Sequence, residues 1–145
     1  ALTDAPALAW RIAMAAPEAV SLPWEPLRRT ALSHMQRRDK PFVQVHHLLA
    51  LAGAGDSGNI VRWLQSAEGA SGSQLEPVVA AFAQVLISLV AGDLREAAFR
   101  LQLLLPDLSS IGGSRAQQQL FDQLATWLSR RGQGAPANQI YRDAA

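Results

Sequence analysis

Residues 53–58, GAGDSG, have the glycine spacing of the phosphate-binding loop G-x-G-x-x-G. That loop binds a dinucleotide only where it joins a β-strand to a helix, because the amides at the helix N-terminus hold the pyrophosphate. Here the preceding residues, PFVQVHHLLALA, have the pattern of a helix, and no lysine follows as in a Walker loop. We therefore predict a helix–helix turn, in which Gly53 or Gly55 ends one helix and Asp56 or Ser57 begins the next.

Two adjacent histidines, His46 and His47, are the strongest candidates for metal ligands. On a helix, neighbouring side chains point about 100° apart, and neither histidine has a ligand partner at the i, i+4 spacing of helical zinc motifs. His46 shares an apolar stripe with Phe42, Val45 and Leu49. We predict a half-buried ring that is hydrogen-bonded to a neighbouring loop. A small-ligand or metal site around His46 is a further hypothesis.

Nucleophilic and acid–base chemistry find little support in the residue types. There is no cysteine, which removes thiol nucleophiles, disulfides and cysteine metal sites. The segment GDSGN resembles a serine nucleophile motif but lacks the strand that must precede it. The carboxylates are scattered, and no pair shares one apolar helix face. We predict that the chain is not an enzyme and has no catalytic, cofactor-binding or metal-binding residues.

Charge and hydropathy narrow the classes of partner. The net charge is +1, so no overall electrostatic attraction to nucleic acid or an anionic membrane is expected. A local basic cluster is interpreted as a solvated helix face; it contains Arg28, Arg29, Arg37, Arg38 and Lys40. No apolar run approaches the roughly 18 residues of a membrane span, and the first residues lack the pattern of a signal peptide. These features predict a cytoplasmic protein with no nucleic-acid or membrane partner.

Glycine, proline and capping residues divide the chain into stretches with helical periodicity. Gly92 is suited to end a helix, and Asp93 with Glu96 forms a capping box for the next. Ser114 with Gln117 repeats the device. No stretch has the alternation of a half-buried strand. We predict helices at about 4–16, 22–38, 41–53, 58–68, 75–91, from 94 to an end or kink at Pro106, 115–131 and 136–144.

About eight helices at this spacing predict an all-α fold for a single domain, residues 1–145. Taken in pairs, they form four consecutive antiparallel hairpins about 35 residues apart, close to the 34 of a tetratricopeptide repeat (TPR). The prediction is a TPR-like α–α superhelix, although an irregular helical bundle fits the same spacing. Because the chain lacks an initiator methionine, we expect a fragment of a longer protein. The face that a missing neighbour would cover predicts apolar surface on helix 4–16 and a possible homodimer.

Three stretches together resemble the tetratricopeptide repeat protein 38 family. They are PALAWRIAM at 6–14, PFVQVHHLLALAGAGD at 41–56, and AGDLREA at 91–97 followed by LPDLSSIGGSRAQQQLF. The last block is the most specific. The likeness covers nearly the whole chain and corresponds to the C-terminal part of a longer family member. It implies an α-helical repeat fold with no established catalysis.

Several polar positions depart from the family's pattern. Gln44 stands where the family has aspartate, Arg115 where it has histidine, and Gln118 and Gln119 where it has arginine and aspartate. The glycines and apolar positions persist. If the polar positions of the family form a site, this chain carries His46, Arg115 and Gln118 there. We predict that these three residues bind a partner.

The sequence thus predicts a non-enzymatic protein–protein interaction or scaffold module of the helical-repeat type. Stacked hairpins leave a concave face for an extended peptide or a partner helix. One of the four tryptophans, if exposed on that face, could anchor the partner. The alternative is a helical accessory domain of an enzyme whose catalytic part lies outside this chain.

Overall fold

The computed structural model describes residues 4–16, 18, 21–35, 39–68 and 75–134. Within these ranges every regular element is a helix, and the predicted all-α class is confirmed for them. The predicted helix at 136–144 lies outside the described residues, which contain seven helices against the eight predicted. These are α1 (Asp4–Ala15), α2 (Trp24–His34), α3 (Pro41–Gly53), α4 (Ser57–Glu68), α5 (Pro77–Val90), α6 (Leu94–Leu108) and α7 (Arg115–Gly134).

Helix α6 does not end at Pro106 but continues to Leu108. A proline inside a helix removes one backbone hydrogen bond and crowds the carbonyl four residues earlier. Leu104 and Leu108 lie on one face, and both are buried. Their burial favours the two further residues, so of the end or kink predicted at Pro106 the end is not found, and the helix runs on to Leu108.

The segment Ala-Gly-Asp connects helices twice, at 54–56 and at 91–93. Both central glycines have positive φ, +73° at Gly55 and +83° at Gly92. After each glycine the aspartate amide donates back into the preceding helix, Asp56 to the carbonyl of Leu51 at 2.9 Å and Asp93 to that of Ser88 at 3.0 Å. This is the glycine-dependent termination of a helix, and it reverses the chain within three residues.

The same two aspartates begin the next helices. A carboxylate oxygen of Asp56 accepts from the amide of Asn59 at 3.1 Å, and one of Asp93 from the amide of Glu96 at 3.2 Å. Each bond satisfies an amide that a helix N-terminus leaves free. The turn predicted for GAGDSG is therefore confirmed: helix α3 precedes it, its second glycine ends that helix, and its aspartate caps α4.

Helix α3 occupies the centre of the fold. It contacts α1, α2, α4 and α5, and every residue from 44 to 52 is buried. From there the packing continues through α5 and α6 to α7, where the rings of Phe82 and Phe121 meet edge to face at 5.6 Å. Helix α1 contacts α7 as well as α3. The first and last of the described helices are therefore neighbours.

Helix α1 buries one face and exposes the other. Its buried residues are Pro6, Ala7, Ala9 and Trp10, while Leu8 is 58% exposed. The apolar surface predicted on helix 4–16 is thus present at Leu8, and the possible homodimer stays a prediction. None of the helices in the described ranges is long and apolar enough to cross a membrane.

Candidate functional site

The predicted site residue His46 lies in the core of the protein. Its ring is fully buried on α3, and its Nδ1 lies 2.8 Å from the carbonyl oxygen of Phe42. Since a carbonyl only accepts, Nδ1 carries the proton, and Nε2 is left as a buried acceptor without a partner among the described residues. The prediction of a half-buried ring bonded to a loop is wrong, because the ring is buried entirely and bonds to its own helix.

Burial sets the protonation of both histidines. Desolvation lowers the pKa of His46 below its usual value, although the Phe42 carbonyl and the charge of Asp4 act in the opposite direction. The pKa of His47 is lowered for the same reason, against the nearby charge of Asp39. No group of three or more histidine, aspartate or glutamate side chains in the described part of the chain could hold a metal ion. The hypothesis of a metal at His46 therefore finds no ligand set there.

The other two predicted residues lie at the start of α7. Ser114 and Gln117 form the predicted capping box: the amide of Gln117 donates to Ser114 Oγ at 3.2 Å, and the amide of Ser114 donates to Gln117 Oε1 at 2.8 Å. Gln118 donates from Nε2 to the carbonyl of Gly112, which closes the loop before α7. Arg115 is exposed.

Contact between His46 and this loop is indirect. Gly113, with φ of +101°, lies so close to the Phe42 ring that a Cβ there would be 2.5 Å from it. The Phe42 ring in turn contacts the His46 ring at a tilt of 46°, with centroids 4.4 Å apart. His46 therefore supports the loop through the Phe42 ring. Because its side chain is fully buried, it presents no surface to a partner. Of the three predicted residues, Arg115 alone is exposed.

The predicted basic cluster is partly used in packing. Arg28 donates from Nε to the Asp56 carboxylate at 2.6 Å and pairs with Glu25 at 3.1 Å, which ties α2 to the turn before α4. Burial by itself would raise the pKa of Asp56, but hydrogen bonds from Asn59 and Arg28 together lower it. Arg37 and Arg38 lie outside the described residues.

An open groove between α1 and α7 offers a different candidate site. Its volume is about 570 Å³, and it runs between residues 11–15 and 122–131. The lining is mostly apolar, with Met14 and Trp127 on opposite sides. Pockets of this size hold small ligands or the side chains of a docked segment.

Polar contacts hold the two helices together at one end of the groove. Gln117 donates from Nε2 to the Asp4 carboxylate at 2.8 Å, and the Arg11 guanidinium donates to the carbonyl of Ala116. A smaller cavity, of about 440 Å³, adjoins this junction. At the other end of α7, Arg95 on α6 donates to the carbonyl of Gly132 at 3.0 Å. Helix α7 is therefore fixed at both ends, and α1 at its N-terminal half.

The face of α7 that lines the groove is the one that the core leaves free. Leu120, Phe121, Leu124 and Leu128 are buried, as the sequence predicts for the core. Trp127, predicted to belong with them, is half-buried: it packs against the core and also lines the groove. The Cζ of Arg131 lies 4.7 Å from the centre of its ring, a cation–π contact. Trp127 is the tryptophan whose position suits an anchor for a partner.

Three arginines border the groove. They are Arg11, Arg130 and Arg131. Arg130 is exposed and makes no ion pair with another described residue. The Nε of Arg11 is buried and has no hydrogen-bond partner in the described part of the chain. One carboxylate, that of Asp122, lies among them. The groove therefore combines an apolar floor with an excess of guanidinium groups.

Sequence reasoning missed this groove because its halves are more than 100 residues apart. The available signal was local: Trp127 and Arg131 share a helix face at i, i+4 spacing, and Arg11 and Met14 at i, i+3. Neither pair indicates which helix lies opposite. No family model, curated protein or solved structure matches this chain. The interpretation of the groove therefore rests on its own chemistry.

Proposed function

We propose that this chain is a non-enzymatic interaction module that docks a segment of a partner protein in the groove between α1 and α7. The observation that carries the proposal is the half-buried Trp127, which lies at the edge of an open apolar groove beside Arg131. Tryptophan and arginine are among the residue types most enriched at the energetic anchors of protein interfaces.

The distribution of shifted pKa values supports a binding role over a catalytic one. Catalytic groups concentrate such shifts in the cleft where substrate binds. In the described ranges, one aspartate and two histidines have shifted pKa values, and all three lie outside the groove: Asp56, His46 and His47. Asp56 caps a helix, and the two histidines are packed in the core. The groove contains arginines and apolar side chains, which suit recognition.

We further propose that the frame is TPR-like in its central part. The two helix–turn–helix units, α3–α4 and α5–α6, use the same Ala-Gly-Asp turn, and Gly55 and Gly92 stand 37 positions apart. That spacing is near the period of a tetratricopeptide repeat. It agrees with the resemblance to the tetratricopeptide repeat protein 38 family, which belongs to the same proposal, as does a cytoplasmic location.

The contact between α1 and α7 distinguishes this frame from an open stack. In a stack of hairpins each unit touches only its neighbours. Here α1 reaches across to α7, so the two repeat-like units are flanked by a pair of helices that meet each other. The groove exists because of this meeting, and we propose that it replaces the concave face of a longer superhelix as the docking surface.

Site-specific photocrosslinking tests the proposed function. A photoreactive amino acid is placed at Thr126, which is exposed in the groove, and in a matched variant at Gln102, which is exposed on α6 outside it. We expect one discrete protein adduct from cells that express the Thr126 variant and none from the Gln102 variant. The crosslinked partner, purified, should bind the unmodified chain and bind Trp127→Ala more weakly. Equal adducts from both positions, or none from Thr126, would contradict the proposal.

A further inference from the structure

We propose that the segment docked in the groove is acidic and amphipathic, with carboxylates that pair with Arg130 and Arg131 beside the charge of Arg11, and an apolar side chain that packs between Trp127 and Met14. This inference rests on the proposed function, because it names the chemistry of the partner that the same groove receives.

The charge of the groove is unlike that of the whole chain. Overall, the protein has 13 basic and 12 acidic residues, close to balance. Among the described residues, the lining of the groove has three arginines against one carboxylate, that of Asp122. Complementary charge increases the association rate and selects among partners. An acidic segment meets this local excess, and a basic segment is repelled by it.

The arginines retain unused hydrogen-bond donors. Arg130 is exposed and makes no ion pair with another described residue, whereas Arg11 already donates to the carbonyl of Ala116 and contributes its charge. The Arg131 guanidinium lies over the Trp127 ring, and a guanidinium in such a contact keeps N–H groups with which to donate. Carboxylates accept two parallel bonds from such a plane, so glutamate and aspartate are the matching side chains.

The floor of the groove requires an apolar component as well. Trp127 provides a large rigid surface, and Met14 is a flexible side chain that adapts to the shape of what packs on it. The volume of about 570 Å³ suits a few side chains of one helical turn or a short extended segment. A purely polar acidic segment would leave the apolar surface of Trp127 and Met14 in contact with water. The docked segment therefore needs both an apolar side chain and carboxylates.

Nucleic acid fits the groove less well. Its binding depends on many phosphate contacts along an extended basic surface. Here the basic residues border an apolar groove, Asp122 lies among them, and the chain carries a net charge of only +1. The observations therefore favour an acidic peptide over a polyanion.

Selection from a random library of 12-residue peptides displayed on phage tests the proposal without presupposing a sequence. The bait is the full chain, and binders are counter-selected on Arg130→Glu/Arg131→Glu. We expect the selected peptides to be enriched at least about twofold in aspartate and glutamate, together with leucine, phenylalanine or tryptophan. Neutral or basic selected peptides, or no peptide that discriminates the two baits, would overturn the inference.

Selected peptides are then synthesised with a fluorescent label and measured by anisotropy. Replacement of their carboxylates by amides should weaken binding to the chain about tenfold or more, as expected for loss of several close charge pairs. Arg130→Glu/Arg131→Glu should weaken it similarly and gain affinity for a lysine-substituted peptide. Arg62→Glu, an exposed position on α4, is the matched control and should bind as the unchanged protein does.

Two failures are distinguishable. If the amide peptides bind equally well, or if the photocrosslink at Thr126 persists while no acidic peptide binds, the charge inference is overturned and the docking function stands. If neither crosslink nor peptide is obtained, both are overturned. The inference is also overturned if a duplex DNA probe displaces the acidic peptide, or if sedimentation shows a dimer that Trp127→Ala dissociates.

Discussion

The ring of Trp24 lies directly on the Cα of Gly53, so closely that a Cβ at position 53 would clash with three ring carbons. The Trp24 ring also contacts the ring of Trp10, and the two ring centroids lie 5.6 Å apart. Trp10 in turn donates from Nε1 to the carbonyl of Leu49 at 2.8 Å. Two tryptophans thus join α1 and α2 to the C-terminal half of α3, and the absence of a side chain at Gly53 makes the contact possible.

Gly53→Ala is expected to destabilise the protein by about 1–3 kcal/mol, the usual range for an overpacked site. Alanine has the better helix propensity, by about 1 kcal/mol, but displacement of a rigid indole outweighs that gain. The measurement is the free energy of unfolding by urea, followed by tryptophan fluorescence, with near-UV circular dichroism to detect the altered ring packing.

Gly58→Ala is the matched control from the same GAGDSG segment. A Cβ at Gly58 would meet only a carboxylate oxygen of Asp56 at 3.8 Å, an ordinary contact. We expect unchanged or slightly increased stability. Equal losses at both positions would show that the Trp24 contact does not determine the need for glycine at 53.

The two aspartates of the repeated turn make a second prediction. Asp93→Ala removes one cap and should cost about 1 kcal/mol of stability. Asp56→Ala removes a cap and also the acceptor for Arg28, so its loss should be larger. In an Arg28→Ala background the difference between the two aspartate substitutions should become smaller when measured by thermal unfolding, and what remains is the side-chain bond from Asn59 to Asp56. An unchanged difference in this background would contradict the role assigned to Arg28.

Local signals in the sequence were sufficient for the helices and their turns. Positive-φ glycines and capping residues act within a few positions, which is why the turns at Gly55 and Gly92 and the cap at Ser114 were predictable. The end of α6 was not, because burial of Leu108 decides it. Helix α3 shows the same limit: four neighbouring helices surround it, so even Gln44, His46 and His47 are buried.

The candidate site depended on a contact that no local signal specifies. Trp127 has the periodicity of a core residue, and only the position of α1 beside α7 shows that it lies at the edge of the core. Arg11 follows Trp10, but one side chain enters the core and the other enters the groove. Adjacency of α1 and α7 is a long-range result of packing, which periodicity and capping do not encode.

Acid should destabilise the protein through its buried histidines. The pKa values of His46 and His47 in the folded chain lie below the ordinary 6.5, so the unfolded chain takes up protons first as the pH falls. Stability should be constant above about pH 7 and decline as the pH falls below 6.5. The pKa of Asp56 is lowered below 3.8, so that carboxylate stays charged throughout this range.

His46→Leu tests which group is responsible. The substitution removes the titration of His46 and the Nε2 atom that has no partner among the described residues, and it also removes the bond to Phe42. Between pH 7.5 and 5, urea unfolding of this variant should show a shallower decline in stability than the unchanged protein. His46→Leu/His47→Leu should be shallower still. Identical slopes for all three proteins would refute the assignment.

Burial also separates the roles of the three residues first proposed as partner-binding. His46→Ala leaves a void beneath the Phe42 ring and should lower the melting temperature by several degrees.

Arg115→Ala changes an exposed side chain and should leave the melting temperature unchanged. Arg115 lies outside the lining of the groove, so its loss should change crosslinking at Thr126 less than Arg130→Ala/Arg131→Ala does. Gln118→Ala, which frees the carbonyl of Gly112, should slightly lower the melting temperature and leave crosslinking intact. An Arg115→Ala variant with a lowered melting temperature, or a His46→Ala variant with an unchanged one, would contradict this division between surface and core.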